Sequence, residues 1–571
     1  MQKELSKIFI KLYIDIVLKE IEESKDYTVV FGRSIEAFDD SSTTGVEVEF
    51  FTQNFFQLFD LSSCPHKEIT QKFLSETKTI LGYFHEIKTL PPRIEYEDER
   101  ISATIKLMEF LYSKKRLDLY IAYVHSLVDI HVQSQNFQEA GGTLMLHANL
   151  LKWSNDTASA LLDFKEEMEW ERKEMLTFKI VEYFDSGQLW EKAIQCLNEM
   201  SPFYQSIYAY EKLSYLSKML SELYSKLSTQ ERFFSTFFKV GYYGKKYPEN
   251  YRNQEYIFKG KQFERLQEFT DSIKLKFPNA RLLQKTEVTE EDKNSDEQLL
   301  LITAVTPCFK EEMSQQSFPA SLKNAPQNVL KYYQNNDVNI FLYNKSFFKE
   351  KPLNKNDQVE EFKKLWLMKT FYVTEEFFPS FVRRTKVCKV VRNESSPIQN
   401  SVSSVKEKND ELQLLLDTIK LDISQNRTQL EDNIKSLTRA LNGIIDAAVN
   451  GGTKIYRLAF ITPQYKKENP KDVSMVEQLN NSLLEQMDIL EEALFIHGTR
   501  CHSDILPMQT KLEDFFEKLQ QDMRSINYQG KPYVKGLPAS RRVQSDPSSL
   551  KKSKSNVNMI KKKTDKKIKN K

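Results

Sequence analysis

VEQLNNSLLEQMDILEEALFIHGTRCHSDILPMQTKLEDFFEKL, residues 476–519, carries the strongest fold signal in this chain. Side chains that suit a buried face recur along it at steps of three or four residues, as they do on one side of a packed helix. The series is Val476, Leu479, Leu483, Met487, Leu490, Leu494, His497, Cys501, Ile505, Met508, Leu512, Phe515 and Leu519. We interpret it as the packing seam of a helical bundle.

Two shorter series precede this seam and extend the predicted bundle back to residue 396. They are Val402, Val405, Leu412, Leu415, Ile419 and Ile423, and then Leu430, Ile434, Leu437 and Leu441. Because His497 and Cys501 lie on the seam, we interpret them as buried residues rather than metal ligands. We expect no metal and no cofactor.

A small, apolar insert interrupts the bundle pattern at residues 442–455. It contains NGIIDAAVNGG and places Gly451 beside Gly452 in a chain with only 15 glycines among 571 residues. A buried helix has no structural need for such a break, so we take the insert as the leading functional candidate. The alternative is an ordinary connection between two helices.

The first 240 residues read as helices. Leu117–Leu151 and residues 176–197 each show two helical series separated by a polar turn, QSQNFQ in the first and DSGQ in the second. In both, the second helix opens with an aromatic residue followed three positions later by alanine: FQEA at Phe137 and WEKA at Trp190. This predicts a helical-repeat lobe over residues 101–240. Residues 1–100 are a helical extension that either enlarges this lobe or belongs to a scaffold.

Residues 241–395 change to short runs rich in β-branched and aromatic residues. The runs are Glu255–Lys259, Leu299–Val305, Val338–Tyr343, Trp366–Val373 and Phe381–Val391. They predict an antiparallel sheet lobe between the two helical parts. The fold class is therefore mainly α with a small β lobe.

Composition and charge narrow the function further. Low glycine and the lack of a G-x-x-x-x-G-K-[ST] motif argue against a nucleotide-hydrolysing enzyme, and no general acid–base pair is evident. No signal peptide or membrane span is predicted, so we expect a cytoplasmic protein. Residues 528–571 carry 14 Lys/Arg and 2 Asp/Glu, which predicts a disordered basic tail over residues 527–571.

Several strings, in order along the chain, resemble the DOCKER domain of the DOCK family, also called the second DOCK homology region. They are LMLHANLLKW from Leu144, YRNQEYIFKGKQFERLQEFTDSIKLKFPNA from Tyr251, SSPIQNSV from Ser395, LNGIIDAAVNGGTKIYRLAF from Leu441 and EALFIHG from Glu492. The resemblance covers roughly residues 110–525. It implies a helical-repeat lobe, a sheet lobe and a four-helix bundle with an interrupted helix. The SH3 and C2-like modules typical of the family have no counterpart in this sequence.

The resemblance also implies a function, which is guanine-nucleotide exchange on a Rho-family GTPase without covalent chemistry. The family's nucleotide sensor falls on Val449, and Asn450, Gly451 and Gly452 follow it in the insert. The implied GTPase-binding residues are Ser396, Pro397, Leu441, Asn442, Gly443, Tyr456 and Phe460. Ser396 and Pro397 also suit a simple helix start. The form DAAVNGG looks closer to the Rac-directed branch, and family members dimerise through the helical lobe.

The basic tail leaves three interpretations open. Lys561, Lys562, Lys563, Lys566 and Lys567 would attract an anionic membrane and recruit the protein to the plasma membrane. The tail could instead serve nuclear import or RNA binding, or only solubility, and we expect nucleic acid not to be a partner. For the whole chain, the alternative to exchange is a non-catalytic helical scaffold that binds a GTPase or another protein.

Overall fold

The fold is taken from a computed structural model. It describes residues 2–24, 27, 31–32, 35, 39, 44–60, 66–285, 287–314, 319–322, 325, 327–350, 358–425, 430–445, 453–501 and 505–524. The chain divides into two compact units. Unit 1 comprises residues 1–307, 335–341 and 373–389, and unit 2 comprises residues 308–334, 342–372 and 390–571.

Unit 1 begins with helices that share one core. Ile14, Val48, Phe73, Leu107 and Val124, from five successive helices, are all buried in it. The described helices within Gln2–Ser24, Gly45–Leu58 and Lys67–Thr89 therefore pack as part of the same helical array as the predicted repeats. The unit 1 helices α1 to α11 are Gln2–Ser24, Gly45–Leu58, Lys67–Thr89, Glu97–Ser113, Leu117–Gln133, Phe137–Ala148, Glu169–Ser186, Trp190–Ser206, Tyr210–Thr229, Leu266–Lys276 and Glu290–Lys293, with a 3-10 turn at Ile94–Tyr96.

Four connections in the array share one turn geometry. Each has a single non-glycine residue in the left-handed region, namely Lys115, Gln135, Gln188 and Tyr208, with φ between 55° and 59°. The amide that follows in each turn bonds to a carbonyl five residues back, which is the longer bond of a Schellman motif. These bonds are Arg116 to Leu111, Asn136 to His131, Leu189 to Phe184 and Ala209 to Tyr204. The two predicted helical pairs are confirmed, and the turn recurs between α4 and α5 and between α8 and α9.

The sheet strands run from residue 235 to residue 395. Strands β1 and β2, Thr157–Ala158 and Glu167–Met168, form a separate small pair. The sheet strands β3 to β9 are Ser235–Tyr243, Gln254–Gln262, Arg281–Leu282, Leu299–Pro307, Val338–Phe348, Leu365–Phe378 and Arg384–Ser395, in the order β3-β4-β9-β8-β7-β6-β5. Four of the five predicted strand segments lie within strands, and the fifth, Phe381–Val391, is a strand only from Arg384 onward. Strand β3 was missed and begins before the predicted start of the sheet lobe at residue 241.

β3 pairs with a neighbouring strand on each of its two edges. It pairs antiparallel with β4, where Val240 lies opposite Tyr256, and also with β6, where Val240 lies opposite Ile302. The sheet is therefore antiparallel at these pairings, while the two-residue β5 runs parallel to β6.

Two buried ionic clusters hold the helices of unit 1 to its sheet. In one, Lys259 of β4 donates to Glu139 of α6 at 2.6 Å, and both side chains are almost fully buried. In the other, Arg384 of β9 contacts Glu99 of α4 and lies 2.6 Å from the hydroxyl of Tyr251. Burial alone would raise the pKa of Glu99, but the charges of Arg384 and its other neighbours outweigh it and lower that pKa.

Unit 2 contains the predicted bundle. Its helices α12 to α19 are Gln327–Asn335, Gln358–Lys364, Pro397–Gln425, Leu430–Ile445, Thr453–Phe460, Pro463–Glu468, Val473–Arg500 and Leu506–Arg524, with 3-10 turns at Lys310–Ser314, Ala320–Leu322 and Pro470–Asp472. The four long helices α14, α15, α18 and α19 contribute to one hydrophobic core. The predicted four-helix bundle is thus confirmed.

Details of the predicted seam need correction. The seam is divided between two helices, since α18 ends at Arg500 and α19 begins at Leu506. Leu416 and Phe516 are fully buried, whereas the predicted Leu415 and Phe515 are only partly covered. His497 is fully buried, as its place on the seam predicted, whereas Cys501 is only partly buried.

Candidate functional site around the bundle insert

The described residues frame the predicted insert from both sides. Helix α15 ends at Ile445, and helix α16 begins at Thr453. The predicted sensor Val449 and the following Asn450, Gly451 and Gly452 lie outside the described residues, as do the tail lysines Lys561, Lys562, Lys563, Lys566 and Lys567. The site is therefore built here from the helices on either side of residues 446–452.

Helix α15 presents three predicted GTPase-binding residues in different ways. Leu441 is fully buried in the bundle core, together with Leu437 one turn earlier. Asn442 is partly covered, with its amide nitrogen 3.9 Å from the sulfur of Met508. Gly443 is exposed, and nothing lies within 4 Å of the position that a Cβ would take. Packing among the described residues therefore does not require glycine at 443, although it costs a helix about 1 kcal/mol relative to alanine.

Helix α16 turns its aromatic residues inward. Tyr456 is 7% exposed and Phe460 is fully buried. Burial raises the pKa of the Tyr456 hydroxyl, which is hydrogen-bonded to Ser404 of α14. Tyr456 and Phe460 thus face the interior of unit 2. Leu458, which no sequence pattern indicated, is 40% exposed on this helix.

Ser396 and Pro397 start helix α14. The amide of Ser396 donates to the side chain of Gln399 at 2.9 Å, and the amide of Gln399 donates to Ser396 Oγ at 3.3 Å. This reciprocal pair is a capping box, and Pro397 occupies the first helical position, where its missing N–H is harmless. Pro397 is buried, so its side chain has a structural role at the helix start.

A polar network crosses the bundle core between helices α15, α18 and α19. His497 of α18 lies between Thr438 of α15, 2.8 Å from its Nε2, and Gln509 of α19, 2.6 Å from its Nδ1. A Cβ on Gly498 would lie 2.8 Å from the amide nitrogen of Gln509. The glycine therefore lets α19 approach α18 closely enough to form this network.

Carboxylates crowd the side of α14 near Tyr456. Burial raises the pKa of Glu312 to about 7, with the charge of Glu407 contributing. Burial, followed by the charge of Glu407, also raises the pKa of Glu411. Among the described residues, no group of three metal-ligating side chains is placed to hold an ion.

Three family descriptions match this sequence. They are DHR-2, Lobe A over residues 165–229, DHR-2, Lobe B over residues 285–377, and DHR-2, Lobe C over residues 422–526. The chain is also 31% identical over 536 residues to dedicator of cytokinesis protein 3 of Homo sapiens, covering 91% of this chain and 26% of that protein. The chain belongs to the DOCK family.

Other DOCK-family relatives cover a similar part. Dedicator of cytokinesis protein 4 of Mus musculus is 31% identical over 529 residues, which are 90% of this chain and 26% of that protein. Guanine nucleotide exchange factor SPIKE 1 of Arabidopsis thaliana is 22% identical over 453 residues, which are 71% of this chain and 24% of that protein. The chain thus spans about a quarter of the length of these DOCK relatives.

The DHR-2 matches cover the insert and its flanking helices, whereas Ser396 and Pro397 lie between the matched ranges. Lobe A covers α7 to α9, Lobe B covers β6, β7, helix α13 and most of β8, and Lobe C covers α15 to α19 together with the insert. Within the described part of the chain, no helix is both long and apolar enough to cross a bilayer.

Proposed function

We propose that this chain is a guanine-nucleotide exchange factor that accelerates GDP release from a Rac-like small GTPase. The observation that carries the proposal is that the insert falls in the Lobe C match, between helices α15 and α16. Leu441 anchors α15 in the bundle core, and Phe460 anchors α16. A relative that is 22% identical over 453 residues is named a guanine nucleotide exchange factor.

The proposed mechanism is electrostatic. Bound GDP is held in a GTPase partly because Mg²⁺ neutralises its phosphate charge. Val449 offers no ligand to a cation, so a valine placed where Mg²⁺ would bind weakens the hold on GDP. Asn450, Gly451 and Gly452 would let the chain turn back towards α16. GTP with its Mg²⁺ then displaces the exchange factor, and no covalent bond changes on this chain.

The contact surface would lie on the open sides of the helices that flank the insert. Gly443, Asn442 and Leu458 are exposed or partly exposed there. An exposed helical glycine without a packing reason suits a surface that the backbone of another protein approaches closely. Leu441, Tyr456 and Phe460 would hold this surface from behind, and Ser396 and Pro397 would fix the start of α14.

The test is release of fluorescent GDP from purified Rac-type and Cdc-type GTPases, with wild-type protein and Val449→Ala compared. We expect wild type to accelerate release, and the variant to lose about tenfold or more, as removal of roughly 1.4 kcal/mol of transition-state stabilisation would cause. Val46→Ala is the matched control, because Val46 is 74% exposed on α2. A folded wild-type protein that accelerates no Rho-family GTPase would instead favour the non-catalytic scaffold.

A homodimer through the helical lobe is part of the proposal. Helix α9 buries only Leu216 and Leu223, while Tyr210, Tyr215 and Tyr224 are more than half exposed on it. Exposed aromatic residues of this kind favour a protein interface. Sedimentation of the wild type and of a Tyr210→Ser, Tyr224→Ser variant would test this, and a wild type that is monomeric at micromolar concentration would exclude it.

Recruitment to the plasma membrane through the basic tail is also proposed, since each basic residue near an anionic surface contributes about 1 kcal/mol. Flotation of the full chain with vesicles containing phosphatidylserine would test it. Replacing Lys561, Lys562, Lys563, Lys566 and Lys567 by Gln should abolish flotation. Equal flotation with neutral vesicles, or tail-dependent binding to RNA alone, would contradict it.

A further inference from the structure

Helix α13, residues Gln358–Lys364, is too short to be stable by itself, because an isolated helix needs roughly 12–15 residues to be even marginal in water. Its order must come from packing against other parts of the unit. The side chains that supply this packing are Val359 and Phe362, both of which lie against the bundle core.

Phe362 contacts both aromatic residues of α16. Its ring centroid lies 5.4 Å from that of Tyr456 and 5.9 Å from that of Phe460, at interplanar angles of 59° and 56°. Aromatic pairs in this range contribute about 0.5–1.5 kcal/mol beyond the area that they bury. Phe362 of α13 thus contacts two residues of α16 that lie about one helical turn apart.

The same two aromatic residues, together with Arg457, also contact other elements of unit 2. Tyr456 reaches Ser404 of α14, and Phe460 meets the ring of Tyr465 edge-on at 5.2 Å. Arg457 lies 4.0 Å from a carboxylate oxygen of Asp522 on α19. α16 is therefore held by contacts to both α13 and the bundle, and Phe362 provides the aromatic part of this clamp on the α13 side.

We infer that Phe362 is a positioning residue for the insert, an inference that rests on the proposed exchange function. α16 begins at Thr453, immediately after residues 446–452, so whatever fixes α16 fixes one end of the segment that carries Val449. α13 lies in the Lobe B match and α16 in the Lobe C match, and both belong to unit 2. Phe362 thereby holds the helix to which residues 446–452 are connected.

The decisive measurement separates positioning from binding. GDP release from a Rac-type GTPase is titrated with wild-type chain, Phe362→Ala and Phe362→Leu. We expect Phe362→Ala to lower the maximal release rate by about tenfold, equivalent to roughly 1.4 kcal/mol, and to change the half-saturating concentration by less than about twofold. Leucine keeps much of the apolar bulk and should restore the rate to within about twofold of wild type.

Phe348→Ala is the matched control, because Phe348 is a partly exposed phenylalanine of β7 in the same unit. It should leave the maximal rate unchanged. A Phe362→Ala protein that releases GDP as fast as wild type overturns the inference, as does an equal loss in the Phe348→Ala control.

A second readout does not depend on exchange. Amide hydrogen exchange of residues 453–460 should become faster in both variants, and more so in Phe362→Ala than in Phe362→Leu. Residues 473–500 of α18 should stay protected. If wild type releases no GDP from any GTPase, the proposed function fails, but this measurement still tests the clamp. Unchanged exchange in α16 in both variants would overturn the clamp even if activity were lost.

Discussion

Nδ1 of His497 lies 2.6 Å from Oε1 of Gln509, and this hydrogen bond joins helices α18 and α19 inside the bundle. The amide nitrogen of Gln509 donates to the Leu494 carbonyl at 3.1 Å and to Glu513 at 2.8 Å, so its oxygen is the acceptor. His497 therefore donates through Nδ1. Burial lowers the pKa of His497, which favours a neutral ring. The Thr438 hydroxyl lies within reach of both His497 Nε2, at 2.8 Å, and the Ile434 carbonyl, at 2.9 Å.

Gln509→Leu should destabilise the bundle by about 2–4 kcal/mol, because it leaves His497 and the Leu494 carbonyl buried without their partner. Leucine has a similar size, so lost hydrogen bonds rather than a cavity would cause the effect. Amide hydrogen exchange in α18 and α19 measures the change. Gln464→Leu is the control, since Gln464 is exposed and should shift stability by no more than about 0.5 kcal/mol. Equal protection in both variants would contradict a structural role for the network.

Gly141 and its neighbour Gly142 form a matched pair in helix α6. A Cβ on Gly141 would lie 2.5 Å from the ring of Phe184 on α7, whereas nothing lies within 4 Å of one on Gly142. We expect Gly141→Ala to cost about 1–3 kcal/mol through overpacking. Gly142→Ala should be neutral or stabilising by up to about 1 kcal/mol, because alanine is the better helix former. Calorimetric melting of the two variants tests the contrast, and a neutral Gly141→Ala would show that α6 and α7 can separate at little cost.

Glu312 makes the stability of unit 2 depend on pH. Its folded-state pKa of about 7 lies above the ordinary 4.5, with burial the main cause, Glu407 and Glu311 adding to it, and Lys369 opposing it. The folded state therefore holds the proton more tightly than the unfolded chain. The associated stability is fully present below about pH 4.5 and is lost as pH rises through 7.

Glu312→Gln removes that loss. It should stabilise the protein by about 1–2 kcal/mol at pH 8, allowing for partial exposure of the site, and have little effect near pH 5. Urea unfolding at the two pH values is the measurement. Glu350→Gln, an exposed carboxylate in the same unit, should show no such difference. A variant that gains as much at pH 5 as at pH 8 would assign the effect to packing rather than to titration.

Helices and strands could be predicted from the sequence where one face of the element is buried and the other is exposed. That condition holds for the bundle seam, where Leu483 and Leu490 are fully buried as predicted. It fails for β3, whose residues Phe237 to Tyr243 are buried on both faces and include Lys239, paired with Glu255 at 2.8 Å. A strand covered on both faces shows no alternation, so period-based reasoning passes over it.

Turn chemistry was hidden for a related reason. A residue with positive φ in a turn is usually glycine, which makes the turn visible in the sequence. The helical array instead has non-glycine residues there, namely Lys115, Gln135, Gln188 and Tyr208. At the candidate site, the sequence predicted which segments to consider but not how their side chains are oriented. Tyr456 and Phe460 are covered in part by Phe362, which comes from a distant part of the chain. No local pattern reports such a contact.

The repeated turn has a consequence for how the protein acquires its structure. Each turn closes a hairpin between neighbouring helices through a bond that spans five residues, so the array can grow from short-range contacts alone. The sheet cannot form from short-range contacts alone, because Ile257 pairs with the sequence-distant Thr385. During synthesis the helical array can be complete before the β9 segment has been made, so β4 cannot yet pair with it. Glu99 and Glu139 of the array can then form their ion pairs with Arg384 and Lys259 when the sheet forms.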